Sequence, residues 1–534
     1  AATTKEAQPQ SLVGSSCAAT FGAICEHYSD RPLVGTLAAD AAGYTWTTYS
    51  EFGRMVERFS TALIHRFAVG DAVGICAANR LEWLVADWSC VRAGVVSIPI
   101  HVHRAADAAG LSGVAKAARL TAVVCEPEQL ATFRALDDPP LQLIFVLDSP
   151  DGAAAAASSH GARVISFASQ VAADAPVVPP RPHAPTAIST VIWSSGTTGV
   201  PKGAALREAT LLEDLANEEA DRDDSERPPV QLAIYSFAYS LERDTFQTIA
   251  LYGGQMAMFA QPLHRVFVAL ELLQPTCILG VPALWSALHH EFEREVAATS
   301  TATAAEARAA VAQRFGTRFG NRLEVVSSGT APLPPQVREF MWSVFPTHFI
   351  GEGYGTQEVG LITLEGKIRK GVTVRLRDVD GYSAKDKPHP RGEICVRTAT
   401  MVEGYFEDPE RTAKAFIRSG PLAGFFCTGD VGELIRGRRG RGRKRKEPQL
   451  RVIDRCKSIF KLAGGEYVNP AGLEAHYSAV DCVRQVFVTG SSSYPTIDIV
   501  VVASAKFLSE TREEEWDTVM LHALRVRGRW LNLR

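Results

Sequence analysis

The segment from Ile192 to Gly203 has the residue types of a phosphate-binding loop. Its glycines allow backbone N–H groups to turn toward a bound anion, its hydroxyls add donors, and Lys202 adds a positive charge. It differs from the Walker A loop, because the G-x-x-x-x-G-K-[ST] spacing is absent. It suits the β- and γ-phosphates of ATP. The predicted phosphate contacts are Ser194, Ser195, Gly196, Thr197, Thr198, Gly199 and Lys202.

The elements that must hold this loop show helix and strand patterns in alternation. Apolar residues recur at helical spacing over 52–65, and 79–93 also predicts a helix. Short apolar runs at 72–76, 95–100 and 122–124 are typical of buried strands. The loop itself follows an apolar run and is predicted to precede a helix. This alternation predicts an α/β fold with parallel sheets covered by helices.

The overall composition excludes several classes of protein. The 534 residues carry a net charge of −3, so the whole chain is not built for a polyanionic partner. Its 10 cysteines include no C-x-x-C pair and no Cys/His cluster at zinc spacing, and we expect reduced thiols. We see no signal peptide and no stretch that is apolar enough to span a bilayer.

With these patterns, the loop resembles the phosphate loop of adenylate-forming enzymes: acyl-CoA synthetases, luciferases and peptide-synthetase adenylation domains. Other motifs follow in the order of that family, from about residue 20 to residue 505. They are Ser328–Leu333, Gly353–Glu358, Phe425–Asp430 and Asp454–Leu462. The form of the last motif and the following G-E-Y-V are typical of the long-chain acyl-CoA synthetase branch.

The resemblance implies a role for each motif. Tyr354 would stack on adenine, Glu358 would bind Mg²⁺ together with Thr197, and Asp430 and Arg455 would hold the ribose. Gln357 stands where the family has a threonine that contacts the α-phosphate, which we expect to weaken function without abolishing it. The predicted nucleotide contacts also include Ser328, Gly329, Ala331, Pro332, Gly353, Gly355 and Thr356. The predicted catalytic residues are Lys202, Glu358 and Lys461.

The resemblance also implies the domain organisation. An adenylation domain is expected over 20–455, with a basic insertion at 436–448, and a small, truncated C-terminal domain over 456–534. Lys457 would be the hinge on which the small domain rotates between the two half-reactions. The family lysine that reaches the carboxylate lies later in this domain; the only Lys after Lys461 is Lys506, whose context does not match. We therefore expect slow adenylation.

The expected reaction is ATP- and Mg²⁺-dependent activation of a fatty acid to acyl-AMP, followed by transfer to CoA. Tyr239, in a segment resembling A-H-x-x-E-R, and Val281 and Trp285 are the acyl-pocket candidates. Two alternatives stay open: the adenylation domain of a carboxylic acid reductase, which 386–393 resembles, and a non-catalytic nucleotide- or acyl-binding relative.

The run Arg436–Lys446 holds eight Lys/Arg and three Gly. It is interpreted as a solvated loop between strands, in preference to a nucleic-acid or membrane contact, so no nucleic-acid partner is expected. The expected location is intracellular, either cytoplasmic or peripheral on an organelle membrane.

Overall fold

The computed structural model describes residues 11–38, 43–102, 108–136, 138, 140–148, 162–194, 201–222, 227–299, 303–346, 349–435, 448–478, 480 and 482–529. Contacts divide the chain into two compact units. Unit 1 comprises 1–279, 317–325 and 399–412, and unit 2 comprises 280–316, 326–398 and 413–534.

The helices alternate with strands along much of the chain. The α-helices are α1 (Cys17–His27), α2 (Tyr49–Ile64), α3 (Leu81–Ala93), α4 (Ala108–Ala118), α5 (Leu130–Arg134), α6 (Phe167–Ala172), α7 (Glu208–Asp221), α8 (Ser240–Leu251), α9 (Val266–Leu273), α10 (Pro282–Ala298), α11 (Ala304–Thr317), α12 (Pro335–Val344), α13 (Pro409–Ala415), α14 (Pro470–Tyr477), α15 (Ala505–Glu510) and α16 (Trp516–Arg529). Short 3₁₀ turns cover Pro127–Gln129, Leu263–Arg265 and Glu513–Glu515.

The strands are short in most cases. They are β1 (Pro32–Leu37), β2 (Tyr44–Thr48), β3 (Ala72–Cys76), β4 (Val96–Pro99), β5 (Leu120–Cys125), β6 (Leu143–Val146), β7 (Arg163–Ser166), β8 (Ile188–Ser194), β9 (Lys202–Arg207), β10 (Val230–Ala233), β11 (Gln255–Met258), β12 (Cys277–Gly280), β13 (Val325–Ser328), β14 (Phe349–Thr356), β15 (Gly360–Leu364), β16 (Lys367–Ile368), β17 (Thr373–Arg377), β18 (Arg391–Arg397), β19 (Phe426–Ile435), β20 (Gln449–Arg455), β21 (Phe460–Lys461), β22 (Tyr467–Val468), β23 (Val483–Thr489) and β24 (Asp498–Ala503).

Unit 1 contains two largely parallel sheets. One has the order β7-β6-β5-β3-β4-β8-β9 and the other the order β10-β11-β1-β2. The interior strands of the first sheet are mostly apolar, as is typical of parallel strands with both faces buried. Helix α2 begins at a capping box formed by Thr48 and Glu51, and α3 ends at Gly94, whose φ of 75° is open to glycine at little cost.

In unit 2, one sheet has strands in the order β14-β15-β16-β20-β19-β18-β17. In this sheet β14 pairs antiparallel with β15, and β18 pairs antiparallel with both β17 and β19. Strand β19 also pairs antiparallel with β20. Two small antiparallel sheets, β21-β22 and β23-β24, follow later in the chain. The α/β class is therefore confirmed, while the parallel arrangement holds for unit 1 and gives way to hairpin pairing in unit 2.

The helix expected after the phosphate loop is α7, which begins at Glu208. Strand β9 (Lys202–Arg207), which the sequence did not indicate, lies between the loop and this helix. The backbone of β9 pairs antiparallel with β8, and side chains such as Ala204 and Leu206 are buried. The apolar content of this segment fits either element, and the pairing with β8 decides between them.

Candidate functional site

Strands β8 and β9 hold the two ends of the phosphate loop side by side. Their register pairs Ser194 with Lys202 and Trp193 with Gly203. The predicted contacts Ser195, Gly196, Thr197, Thr198 and Gly199 lie outside the described residues. The hairpin therefore fixes where the loop leaves and rejoins the sheet, and it fixes the backbone of Lys202.

The side chain of Lys202 is held by an aromatic residue from a distant part of the sequence. Its Nζ donates to Tyr405 Oη at 2.8 Å and lies 4.8 Å from the centroid of the same ring. The Phe406 N–H donates to Gly203 O at 2.8 Å, and Arg411 Nη1 donates to Pro201 O at 3.0 Å. The 405–411 segment thus supports the end of the loop. Sequence reasoning gave Tyr405 no role at the site; the signal that could have found it is the Gly404-Tyr405 pair in the sequence.

In unit 2, three predicted residues from three strands of one sheet meet. Tyr354 on β14 donates its phenolic O–H to Asp430 Oδ2 at 2.7 Å. Asp430 on β19 is the register partner of Arg455 on β20, and Arg455 Nε lies 3.5 Å from Asp430 Oδ1. The Arg455 side chain is 66% exposed, so this ion pair is well screened by solvent.

The Asp430 carboxylate lies in an unusual electrostatic setting. Burial raises its pKa above the ordinary value; the Tyr354 hydrogen bond and Arg455 oppose that rise, and the negative charge of Glu358 adds to it. Burial beside Asp430 also raises the pKa of Tyr354. A buried carboxylate with free lone pairs and a nearby cation is suited to accept hydrogen bonds from a diol.

The turn Ser328–Pro332 lies against β14. A Cβ added at Gly329 would lie 3.4 Å from Gly353 O, so the two backbones approach closely at these glycines. At this turn and at the end of β14, the buried atoms Ser328 Oγ, Thr356 Oγ1 and Gln357 Oε1 have no hydrogen-bond partner among the described residues. Buried polar atoms are rarely left unpaired, so these three are available to a ligand. A side-chain flip would let Gln357 present its NH₂ group instead.

The part of β19 that precedes Asp430 is fixed by Thr428 and Glu393, to which the sequence assigned no role. Thr428 Oγ1 donates to Ile394 O at 3.0 Å and accepts the Asp430 N–H at 3.1 Å. Glu393 Oε1 accepts the Gly429 N–H at 3.2 Å. Gly429 has a φ of 78°, which favours glycine.

The other predicted residues differ in how far they are exposed to solvent. Glu358 is buried at 5% exposure, while Ala331, Pro332, Lys457 and Lys461 are exposed, and Lys461 Nζ lies 5.4 Å from the centroid of the Tyr467 ring.

The acyl-pocket candidates also differ from one another. Tyr239 is exposed, precedes α8 and packs on the His101 ring at 4.2 Å between centroids. Val281 caps α10. Trp285 is fully buried, and its Nε1–H lies 3.1 Å from both Gly280 O and Ser327 O, so its described contacts are those of a core residue.

Comparison with known proteins decides the family. The profile of the family described as AMP-binding enzyme matches residues 22–406. The chain belongs to this family. It is 28% identical over 536 residues to the peroxisomal long chain acyl-CoA synthetase 7 of Arabidopsis thaliana, covering 92% of this chain and 73% of the relative. It is 26% identical to a carboxylic acid reductase of Mycobacterium tuberculosis, covering 96% of this chain and 46% of the relative.

A solved structure is similar across nearly the whole chain of this AMP-binding enzyme. The adenylation domain of a carboxylate reductase from Mycobacterium chelonae matches with a TM-score of 0.84 and 25% identity, covering 98% of this chain and 84% of that one. The predicted family and fold class are confirmed, and adenylate-forming acyl activation is the family chemistry. In the parts of the chain that the structure describes, no helix is both long enough and apolar enough to cross a membrane.

Proposed function

We propose that this AMP-binding enzyme uses ATP and Mg²⁺ to convert a long-chain fatty acid to its acyl-AMP and then transfers the acyl group to CoA. The observation that supports this most directly is the unit 2 cluster: the Tyr354–Asp430–Arg455 contacts beside buried, unpartnered polar atoms at Ser328, Thr356 and Gln357. The Tyr354 ring offers a face for adenine, and the Asp430 carboxylate offers an acceptor for the ribose diol. The unpartnered polar atoms can form hydrogen bonds with other parts of an adenosine monophosphate.

The proposed reaction has two steps. A carboxylate oxygen attacks the α-phosphorus of ATP and expels pyrophosphate; the thiolate of CoA then attacks the acyl carbonyl and expels AMP. Lys202, held by Tyr405, would neutralise phosphate charge, and Asp430 and Arg455 would orient the ribose. The Glu358 carboxylate is a hard oxygen ligand that fits Mg²⁺, and the bound ion would supply further neutralisation of phosphate charge.

The acyl chain length and the small-domain roles rest on sequence alone. Tyr239, Val281 and Trp285 are proposed as acyl-pocket residues, with Tyr239 the most accessible of the three. Lys457 is proposed as the hinge, and Lys461 as a catalytic residue of the same exposed segment. Transfer from the acyl-AMP would follow a rotation about that hinge.

The decisive experiment measures pyrophosphate release from ATP and Mg²⁺ with acids of increasing chain length, with and without CoA. We expect release that depends on a long-chain acid and turnover that rises with CoA. Asp430→Asn should lower the rate strongly. Asp386→Asn, at a carboxylate paired with Arg391 in the same unit, is the matched control and should not. Binding of an acyl-AMP analogue with no release of pyrophosphate would refute catalysis and indicate a nucleotide-binding relative.

A second candidate is activation for a carrier-domain thiol in place of CoA. It is favoured by the similarity of the whole chain to the adenylation domain of a carboxylate reductase. The same acyl-AMP would form, but the phosphopantetheine thiol of a carrier domain would accept the acyl group. Acyl transfer to an added carrier domain, with none to CoA, would replace the first proposal by the second.

A further inference from the structure

Three ligand-type side chains that are scattered in the sequence lie together in the antiparallel part of unit 2. Cys395 on β18 is the register partner of Cys427 on β19, and their Sγ atoms are 3.3 Å apart. Glu393 lies on β18 beside them, and one ligand atom from each of the three residues falls within 4.8 Å of the others. All three are buried, with exposures of 6% for Glu393, 0% for Cys395 and 8% for Cys427.

Both oxygens of the Glu393 carboxylate accept hydrogen bonds from neighbouring groups, as is common for carboxylates that bind metals. Its Oε1 accepts the Gly429 N–H at 3.2 Å, and its Oε2 accepts Arg377 Nε at 2.8 Å. Such outer contacts fix the orientation of a ligating carboxylate. Two thiolates and this carboxylate carry three negative charges, while a divalent cation and Arg377 carry three positive ones. A loaded cluster would therefore be neutral, which suits a buried site.

We propose that Glu393, Cys395 and Cys427 form a binding site for a thiophilic divalent cation, with Zn²⁺ as its occupant. Two thiolates with one carboxylate are a ligand set that favours Zn²⁺ over Mg²⁺ or Ca²⁺. Loading releases both thiol protons to solvent as two Zn–S bonds form, and no electrons are transferred.

The two sulfur atoms need only a small rearrangement to accept the ion. Two Zn–S bonds of about 2.3 Å at a tetrahedral angle place the sulfur atoms roughly 3.7–3.8 Å apart. The sulfur atoms of Cys395 and Cys427 would have to separate by about 0.4–0.5 Å, which rotation of their side chains can supply. Three protein ligands leave a fourth position for solvent, as in zinc sites that stay open.

The site adjoins the proposed ribose contact Asp430. Gly429, whose N–H is held by Glu393, directly precedes Asp430 on β19. A bound ion would hold Glu393 and with it this part of β19, so loading should tighten binding of AMP. That consequence rests on the proposed function, whereas the metal site does not.

The test uses the whole chain, reduced with a phosphine, loaded with ZnCl₂ and desalted. Elemental analysis should find about one tightly held Zn²⁺ per chain. Loading with Co²⁺ in its place should give near-ultraviolet thiolate-to-cobalt absorption. The Cys395→Ser/Cys427→Ser double variant should lose the zinc and the cobalt band. Cys482→Ser, at a comparably buried thiol beside Met520, is the matched control and should keep both.

Equal zinc content in the wild type and the double variant would overturn the proposal, as would wild-type protein that holds no zinc and shows no cobalt–thiolate absorption. If the double variant fails to fold, Glu393→Gln and the wild-type cobalt spectrum decide instead: Glu393→Gln should hold zinc at least tenfold more weakly. AMP titration with and without zinc is a separate measurement. Zinc that binds without changing AMP affinity would refute the proposed effect of the metal on Asp430. The proposal of the metal site itself would stand.

Discussion

Replacing Asp430 by asparagine keeps the shape of the side chain and removes its charge. In the wild type, Asp430 accepts the Tyr354 O–H at 2.7 Å and faces a largely exposed Arg455. Hydrogen bonds to a charged group contribute about 1.5–3 kcal/mol, against about 0.5–1.5 kcal/mol for neutral pairs. Two ribose hydroxyls would each lose about 1–1.5 kcal/mol of that difference, so kcat/KM for ATP should fall by roughly 30- to 150-fold.

The same substitution should not cost stability at neutral pH. Burial raises the pKa of Asp430, so the folded chain binds this proton more tightly than the unfolded chain does. The group therefore adds stability that is fully present below its unfolded pKa, about 3.9, and is lost as pH rises through the higher folded pKa. Asparagine carries no such charge at any pH. As pH rises from acid to neutral, the free energy of unfolding of the variant should therefore increase relative to that of the wild type.

Two measurements on the same preparations check this reasoning. ATP-dependent pyrophosphate release, or calorimetric titration with AMP, gives the change at the site. Urea denaturation at pH 4.5 and pH 7.5 gives the change in the free energy of unfolding. An Asp430→Asn enzyme with wild-type affinity for nucleotide would refute the ribose role. The electrostatic argument would be refuted if the variant were less stable than the wild type at pH 7.5 and if this deficit were larger at pH 7.5 than at pH 4.5.

Three further substitutions test other parts of the structure. Tyr405→Phe removes the hydroxyl that holds Lys202, and KM for ATP should rise several-fold, by about 1 kcal/mol, in steady-state kinetics. Asp87→Asn breaks the buried ion pair with Arg243, both partners being almost fully buried, and should lower the free energy of unfolding by about 3–5 kcal/mol in urea. Gly355→Ala would place a Cβ 2.3 Å from a neighbouring carbonyl oxygen, and both thermal stability and AMP binding should fall.

Each of these has a matched control. Tyr44→Phe removes a hydroxyl that donates to Ala269 O, and its KM for ATP should be unchanged. Asp138→Asn breaks an exposed pair with Lys116 and should leave the free energy of unfolding nearly unchanged. Gly464→Ala meets no atom within 4 Å and should be tolerated. A control that behaves like its partner variant would show that the assigned contact is not the cause.

Local sequence pattern identified much of unit 1. The apolar run at 72–76 is β3 with the predicted bounds, and the helical spacing over 52–65 corresponds to α2. Both predictions depend on the side-chain period within one element, which the chain encodes locally. Strand β9, between the phosphate loop and α7, was not predicted, because its apolar residues suit a helix or a strand and only pairing with β8 selects a strand.

By itself, the sequence determined the residue types of the proposed nucleotide site, because short motifs contain the carboxylate of Asp430, the aromatic ring of Tyr354 and the cation of Lys202. Only the tertiary structure decided which side chains support them. Tyr405 meets Lys202 across 203 positions, and Cys427 meets Cys395 across 32. Strand pairing sets such contacts through backbone hydrogen bonds between distant segments, and no periodicity within either segment records the partner.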